Sequence, residues 1–155
     1  MLCKHSKVNQ NTIDYEIKSA WHSIFKMYNQ VAQKYDTSQA TGFLLLSIAK
    51  EGTPSTSIAP AMGMEATSLS RILKTLEEKK LIYRKKDKKD GRMVRIFLTP
   101  EGVEKRRIAK KVVSGFNDLI HQEIPQTKLS VFFDVMNDIN KVVEQYKEIN
   151  DLNNE

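Results

Sequence analysis

The side chains best suited to chemistry in this chain are cations, and they are concentrated in residues 79–95. This segment, KKLIYRKKDKKDGRMVR, contains nine Lys or Arg residues against two Asp residues, a local charge of +7. The whole chain of 155 residues carries only +6, so the remainder is nearly neutral. Such a segment suits a polyanion, because each cation that meets a phosphate releases a condensed counterion. The charge alone allows a nucleic acid, an anionic membrane surface or an acidic protein as partner.

A second set of polar side chains lies on one face of residues 66–79. Apolar Leu69, Leu73 and Leu76 recur at helical spacing and predict an amphipathic helix with these residues inward. The opposite face carries short hydroxyls and two cations, which suit the base edges and phosphates of a DNA major groove. On an isolated helix the same face would be an ordinary solvated surface. The candidate DNA-binding residues here are Thr67, Ser68, Ser70, Arg71 and Lys74.

Apolar, β-prone stretches flank the cationic segment and predict a hairpin with strands near 81–85 and 93–98. Asp90-Gly91, between them, is a common turn pair. Its carboxylate is placed to hold the Arg92 guanidinium by a charge-assisted hydrogen bond, which aims this arginine at a narrow minor groove. The alternative is a solvated charge run. The candidate DNA-binding residues of the hairpin are Lys86, Lys88, Lys89, Asp90 and Arg92.

The elements that would position these residues are mainly helical. Periodicity predicts a long amphipathic helix over 13–33, and Asp36-Thr37-Ser38 supplies an N-cap for a second helix through Ala49. A short helix follows up to Met62, and Gly63 is placed like a glycine with positive φ just after its end. This helix, the Gly63 turn and the helix from residue 66 form a helix-turn-helix.

After the hairpin, Thr99-Pro100-Glu101 predicts a helix start, with a hydroxyl N-cap, proline at the first helical position and an acid in the first turn. That helix is expected to run to about His121. Thr127 is the expected cap of a last helix, which continues with apolar residues on one side to Ile149.

The order of these elements predicts a mainly α protein with a small β-hairpin wing. Residues 37–99 would form a winged helix-turn-helix lobe, and residues 13–36 and 100–149 a helical dimerisation region, within one structural domain overall. The apolar faces of the flanking helices are wider than this small lobe can cover. We therefore expect them to pack against one another and against a second copy of the chain.

The wing sequence resembles that of a known family. DKKDGR at residues 87–92, followed by VRIFLTPEG at residues 94–102, is similar to the D-x-R, short strand and L-T-x-x-G signature of the multiple-antibiotic-resistance regulator (MarR) family. LSRILKTLE at residues 69–77 resembles its recognition helix, and the likeness extends over about residues 13–149. It implies a winged-helix homodimer that binds pseudo-palindromic operators in double-stranded DNA and usually represses. Arg92 would be the minor-groove arginine and Asp90 its supporting carboxylate.

One residue departs from that resemblance. The family normally has a helix-forming residue where this chain has Pro60, which lacks an N–H and disfavours helix at Ala59. Either Ser57 caps a very short helix with Pro60 in its first turn, or the helix is distorted.

The resemblance also implies a small aromatic or phenolic ligand that releases the DNA. Such ligands would bind between the dimerisation helices and the DNA-binding lobe. The candidate lining residues on the first helix are Trp21, His22, Phe25 and Tyr28. The competing interpretation is that these aromatic side chains make core and dimer contacts only, as aromatic residues at helical spacing usually do.

Redox and metal chemistry have little support in the sequence. Cys3 is the only cysteine, which excludes an intramolecular disulfide, and nothing near it would strongly lower its thiol pKa. Cys3 and His5, or His22, form no paired zinc motif, so no metal or cofactor is expected. The chain has no secretory signal and no apolar run that could span a bilayer, so we expect a cytoplasmic protein without a membrane partner.

Two other classes of function compete with DNA binding. An enzyme is disfavoured, because the chain has no phosphate-binding glycine loop, metal motif or nucleophile elbow, and its three histidines are far apart in sequence. A winged-helix protein-interaction module without operator binding is the serious alternative, since a fold does not fix a function. The charge of residues 79–95 favours the DNA-binding regulator, because a protein-binding wing has no need of it.

Overall fold

The computed structural model of the chain describes residues 12–87 and 90–152, with side chains as far as Ile149. Within these residues it is mainly helical with a small antiparallel sheet, which confirms the predicted fold class. The helices are α1 (Ile13–Gln33), α2 (Gln39–Ser47), α3 (Ser55–Ala61), α4 (Ala66–Glu78), α5 (Pro100–Glu123) and α6 (Gln126–Leu152), and the strands are β1 (Thr53–Pro54), β2 (Ile82–Lys86) and β3 (Val94–Leu98).

The chain divides into two compact units at Val112 and Val113, in the middle of α5. The first unit contains every element up to β3 and the first half of α5. The second contains the rest of α5 and all of α6, where Leu129 is buried. The predicted lobe over residues 37–99 lies within the first unit.

The core of the first unit is built from the apolar faces of α2, α3, α4 and the sheet. Side chains from each of these elements are almost fully withdrawn from water, and burial of this kind is worth roughly 1.5–3 kcal/mol for each large aliphatic residue. α4 contributes the three leucines that its periodicity predicts. The buried core residues are Leu44, Leu45, Ile48, Ile58, Ala59, Leu69, Leu73, Leu76, Leu81, Ile82 and Ile96.

The sheet has three strands in the order β1-β3-β2, all antiparallel. β2 and β3 form the predicted hairpin, with Ile82 opposite Leu98 and Lys86 opposite Val94. The sequence did not predict β1, whose Thr53 pairs with Ile96. Pro54 is tolerated in β1 because this strand lies at the edge of the sheet, where a missing N–H breaks no ladder.

Side-chain hydroxyls cap two of the predicted helices. Ser38 caps α2 by accepting a hydrogen bond from the Thr41 N–H (3.2 Å). Thr99 caps α5 by accepting one from the Gly102 N–H (3.0 Å). Both match the preference for hydroxyls at helix N-termini. Two boundaries differ from the sequence prediction: α2 ends at Ser47 rather than Ala49, and α6 begins at Gln126, so that Thr127 lies inside it.

Pro60 is accommodated in a way that neither sequence-based alternative described. α3 begins at Ser55, and Pro60 lies in its last turn rather than its first. The Ser57 hydroxyl does not cap the helix but donates to the carbonyl oxygen of Pro54 (2.9 Å). In this helix of seven residues, Pro60 forfeits one intrahelical hydrogen bond close to the end, and α3 still continues to Ala61.

The first half of α5 is held against the ends of two other helices. The Lys105 ammonium donates to the Tyr35 carbonyl oxygen just after α1 (3.1 Å), and the Arg106 guanidinium donates to that of Ile48 just after α2 (2.9 Å). Carbonyl oxygens at a helix C-terminus lack intrahelical N–H donors, and cations near a helix C-terminus also suit its dipole. The lobe is thereby fixed to the start of α5.

No helix among the residues described is long and apolar enough to cross a membrane.

Candidate nucleic-acid interface

The helix-turn-helix of the lobe is formed by α3 and α4. Gly63 follows α3 with a φ of +59°, as the sequence predicts. The Met64 N–H donates to the Ala59 carbonyl oxygen and the Gly63 N–H to that of Pro60 (both 3.1 Å), which closes the helix end in a Schellman arrangement. A residue with a Cβ would be strained at this φ, so the turn into α4 depends on glycine.

The outward face of α4 carries the predicted hydroxyls and cations. All five candidate residues are exposed, while Leu69, Leu73 and Leu76 behind them are buried. The Ser70 hydroxyl donates to the Ala66 carbonyl oxygen (2.9 Å). These candidates, placed together on one exposed face, are Thr67, Ser68, Ser70, Arg71 and Lys74.

The acidic residues at the end of α4 are paired with cations. Glu77 accepts a hydrogen bond from the Arg84 side chain of β2 (3.0 Å), which joins α4 to the wing. Glu78 lies 4.0 Å from the Lys74 ammonium. These pairs are exposed and contribute little to stability. Their effect on the surface is to reduce the negative charge that would repel a polyanion at this end of α4.

The tip of the hairpin is a loop that contains the predicted Asp90-Gly91 turn. The ladder continues to Asp87, whose N–H donates to the Met93 carbonyl oxygen (2.9 Å). Beyond it, the Met93 N–H donates to the Asp90 carbonyl oxygen (2.9 Å), which closes a β-turn with Gly91 and Arg92 at its centre. Asp90-Gly91 therefore lies in a turn, as predicted, although Gly91 is not among the residues with positive φ.

The role expected for the Asp90 carboxylate needs correction. It accepts a hydrogen bond from the backbone N–H of Arg92 (3.0 Å), not from the guanidinium. This is an Asx turn, in which a short acidic side chain fixes the backbone two residues later. Asp90 therefore shapes the loop, while the exposed Arg92 guanidinium makes no hydrogen bond to any other residue described.

Asp87, which the sequence indicates only as the first residue of the DKKDGR segment, anchors the wing. Asp87 is buried, and it pairs with the Arg95 guanidinium on β3. The other oxygen of Asp87 accepts from the Asp90 N–H (3.1 Å). Arg95 also donates to the Gly52 carbonyl oxygen next to β1 (2.9 Å). A lone arginine in the apolar stretch VRIFL was the signal that could have pointed to this pair.

The remaining wing candidates fall into two groups. Lys86 ends β2 with an exposed side chain, on the same hairpin as Arg92. Lys88 and Lys89 lie outside the described residues.

The structure does not gather the four ligand-site candidates of α1 into one pocket. Trp21 and Phe25 are 51% and 40% exposed, with ring centroids 6.4 Å apart, and His22 is also exposed. Tyr28 is instead buried and meets the Phe43 ring edge-on at 5.6 Å. Burial raises the pKa of the Tyr28 hydroxyl above its usual value. Tyr28 is thus a core residue, and the other three form an exposed patch.

A cavity in the first unit lies elsewhere. Its volume is about 270 Å³, and both polar and charged side chains line it. The lining residues are Asp36, Thr37, Thr41, Lys79, Leu81, Glu101 and Lys105. Across residues 12–87 and 90–152, no group of three or more His, Cys, Asp or Glu side chains is arranged to hold a metal ion. The candidate redox and metal residues Cys3 and His5 lie outside the described residues.

A comparison with protein families agrees with the resemblance seen in the sequence of the lobe. Residues 38–94 match the model of the MarR family, a stretch that includes α3, α4 and most of the wing. A search of the curated proteins finds no match.

Three solved structures show the same fold. MepR of Staphylococcus aureus in complex with DNA is 21% identical, with a TM-score of 0.76 over 84% of this chain and 98% of that one. The transcriptional regulator SlyA is 22% identical, with a TM-score of 0.75 over 86% and 94%. The PcaV regulator of Streptomyces coelicolor in complex with its natural ligand is 16% identical, with a TM-score of 0.72 over 86% and 94%.

The sequence match covers the elements that carry the candidate interface, and the fold agrees along most of the chain. Residues 38–94 of the chain are thus similar to the MarR family, and the fold along most of the chain is similar to that of solved winged-helix transcriptional regulators.

Proposed function

We propose that the protein is a cytoplasmic repressor that binds a pseudo-palindromic operator as a homodimer. In this proposal α4 enters the major groove and the Arg92 loop enters the adjacent minor groove. Two α4 helices would lie in successive major grooves on one face of the DNA, with half-sites about 10 bp apart. The proposed contact residues are Thr67, Ser68, Ser70, Arg71, Lys74, Lys86, Lys88, Lys89 and Arg92, and Asp90 would shape the loop that carries Arg92.

The observation that carries this proposal is the pairing of charges around α4 and the wing. The acids at the end of α4 are paired with Arg84 and Lys74, and Asp87 is buried against Arg95. The exposed Arg71 and Arg92 guanidinium groups are left without such partners among the residues described. Unpaired cations beside neutralised acids favour a polyanionic partner. MepR, of the same fold, has been solved in complex with DNA.

The contribution of Arg92 can be measured through the salt dependence of binding. Arg92→Ala should weaken binding to the operator and reduce the slope of log K against log salt by about 0.9, the value for one phosphate contact. Lys147→Ala, on α6, is a control that removes the same charge outside the proposed interface. Gel-shift titration at several salt concentrations, starting with the DNA upstream of the coding sequence, provides the measurement. An unchanged slope and affinity in Arg92→Ala would contradict the wing assignment.

Release by a small aromatic or phenolic ligand is the second part of the proposal. PcaV, a regulator of the same fold, has been solved with its natural ligand. On α1, the exposed Trp21 and Phe25 rings and the adjacent His22 provide stacking surfaces and a polar group. Such a ligand must bind the DNA-free form more tightly, since only differential affinity shifts an equilibrium.

Tryptophan fluorescence can test this second part directly. Trp21 is the only tryptophan in the chain, so any quenching reports on this patch. Titration with a panel of phenolic acids should quench the fluorescence of the protein and lower its operator affinity. Phe25→Ala should weaken the effect, while Tyr35→Phe, an exposed aromatic residue outside α1, should not. A panel that changes neither fluorescence nor affinity would contradict ligand release.

A further inference from the structure

Two hydroxyl groups on α4 already use their protons within the helix. Ser70 donates its proton to the Ala66 carbonyl oxygen (2.9 Å), and Thr75 donates its proton to that of Arg71 (3.1 Å). A hydroxyl has one proton and two acceptor sites. While these internal bonds persist, the outward-facing oxygen of Ser70 can only accept a hydrogen bond.

A Ser70 hydroxyl that can only accept a hydrogen bond discriminates among the groups that DNA presents. Phosphate oxygens are themselves acceptors, as are N7 and O6 of guanine and O4 of thymine. The hydrogen-bond donors that bases offer in the major groove are the amino groups of cytosine and adenine. Ser70 therefore suits an amino-bearing base and neither a phosphate nor the groove edge of guanine.

The two cations of α4 also differ. Lys74 lies 4.0 Å from the Glu78 carboxylate and presents a point charge. The Arg71 guanidinium is exposed and makes no ion pair or hydrogen bond with any other residue described. All of its N–H donors are thus available in a planar fork, and the fork matches the paired acceptors O6 and N7 of guanine.

We infer that Arg71 reads a guanine in each half-site and that Ser70 accepts a hydrogen bond from a cytosine or adenine amino group beside it. Because Ser70 and Arg71 are adjacent on one helix face, the two bases lie in the same or adjoining base pairs. Lys74 contributes affinity through a phosphate without choosing a base. The inference rests on the proposed function, and it adds which bases the helix selects.

The test begins with selection of duplexes from a random DNA library by the wild-type protein. Each guanine of the selected half-site is then replaced in turn by 7-deazaguanine, which lacks the N7 acceptor but keeps its base pairing. At one guanine per half-site, wild-type affinity should fall by roughly 5-fold or more, because one of the two acceptors of a bidentate contact is lost. Arg71→Ala should bind the two duplexes equally. Lys74→Ala should bind both more weakly but keep the ratio between them.

A second arm examines Ser70 on duplexes that vary only in the base pair beside that guanine. Every pair presents one amino group in the major groove, and the pairs differ in the strand that carries it. Wild type should prefer the two pairs that place adenine or cytosine on the strand facing Ser70 over the two that place guanine or thymine there, and Ser70→Ala should bind all four pairs alike. If Arg71→Ala retains the wild-type loss at the same guanine, or if no guanine is sensitive, the inference is overturned while operator binding stands. If the wild type enriches no sequence from the library, the proposed function falls and this inference falls with it.

Discussion

Asp87 is 8% exposed, an unusual position for a carboxylate in a segment of lysines. Burial of a charge is costly unless it is paired and hydrogen-bonded, and Asp87 meets both conditions. Arg95 supplies the opposite charge, and the Asp90 N–H supplies a hydrogen bond. Because Arg95 also donates to Gly52, this single carboxylate connects the end of β2, the tip loop and the edge strand. The direction of the wing therefore depends on residues that need not contact DNA.

Asp87→Asn should destabilise the protein by about 1–3 kcal/mol, because it leaves the partly buried Arg95 without its counter-charge. Operator affinity should fall as well, since the loop that carries Arg92 loses its anchor. Urea unfolding followed by circular dichroism and a gel-shift titration measure the two effects.

The matched control for this change is Asp90→Asn, which replaces another carboxylate of the wing by an amide. Asparagine also forms Asx turns, so its side-chain oxygen can still accept from the Arg92 N–H, and stability should change by only about 0.5 kcal/mol or less. Equal losses of stability in the two variants would show that Asp87 has no special role.

At the scale of elements, the start of α5 is fitted closely to the chain before the wing. The Thr99 N–H donates to the Leu81 carbonyl oxygen (3.0 Å), and Thr99 also caps the helix. A Cβ built at Gly102 would lie 1.9 Å from that same carbonyl oxygen. The backbone could relieve this overlap only if α5 moved away from Leu81. The glycine of the L-T-x-x-G signature is thus required for contact between helix and lobe.

Two Gly→Ala changes in α5 should have opposite effects. Gly102→Ala should destabilise the protein by about 2–4 kcal/mol or prevent folding, because the new methyl group collides with backbone. Gly115→Ala has open space around the new Cβ and should stabilise the protein by about 0.5–1 kcal/mol, since alanine is the better helix former. Thermal and urea unfolding of both variants provide the comparison. A neutral Gly102→Ala would contradict the close fit.

The sequence could predict those features that depend on residues close together along the chain. The Ser38 cap, the Gly63 turn and the Thr99 cap each depend on contacts within a few residues, and the structure has all three. β1 could not be predicted, because its two residues become a strand only by pairing with β3, more than 40 positions later. The hydrogen bond from Arg95 to Gly52 is equally distant in sequence.

The wing shows the same limit within the candidate site. The exposed face of α4 followed from periodicity alone, since three buried leucines orient the whole helix. The details of the tip loop did not, because they depend on a pair of residues that are distant along the hairpin. Asp90-Gly91 predicts a turn, and the structure has one. The burial of Asp87 against Arg95, eight positions later, is a tertiary contact that no local pattern shows.

At the scale of the whole molecule, α1 and α6 expose more apolar surface than a monomeric protein usually leaves in water. Exposed apolar side chains occur along both helices, and those of α6 occupy several of its sides. They are Ile13, Tyr15, Ile17, Trp21 and Phe25 on α1, and Val131, Phe132, Phe133, Val135, Val142, Val143, Tyr146 and Ile149 on α6. A second copy of the chain is the partner that the proposed homodimer supplies, since a two-fold operator requires a two-fold protein.

Charges introduced on α6 should therefore separate the protomers. Phe132 and Phe133 are 53% and 54% exposed, so the double variant F132E/F133E removes little of the core that the monomer has. The variant should sediment as a monomer at micromolar concentration, whereas the wild type should sediment as a dimer. N137E/N140E adds the same charge at exposed polar positions of the same helix and serves as the control. Circular dichroism confirms that both variants are folded.

Operator binding by the same α6 variants tests whether dimerisation is needed for high affinity. A dimer engages both half-sites, so the second contact benefits from an effective concentration that raises avidity by roughly 10²–10⁴-fold. Wild-type protein and N137E/N140E should accordingly prefer a full operator over a single half-site by such a factor. F132E/F133E should bind the two duplexes with nearly equal, weak affinity, because its α4 and wing are intact but act alone. If this variant remains a dimer, or if it is a monomer that still prefers the full operator, the α6 surface is not what joins the two DNA-reading lobes.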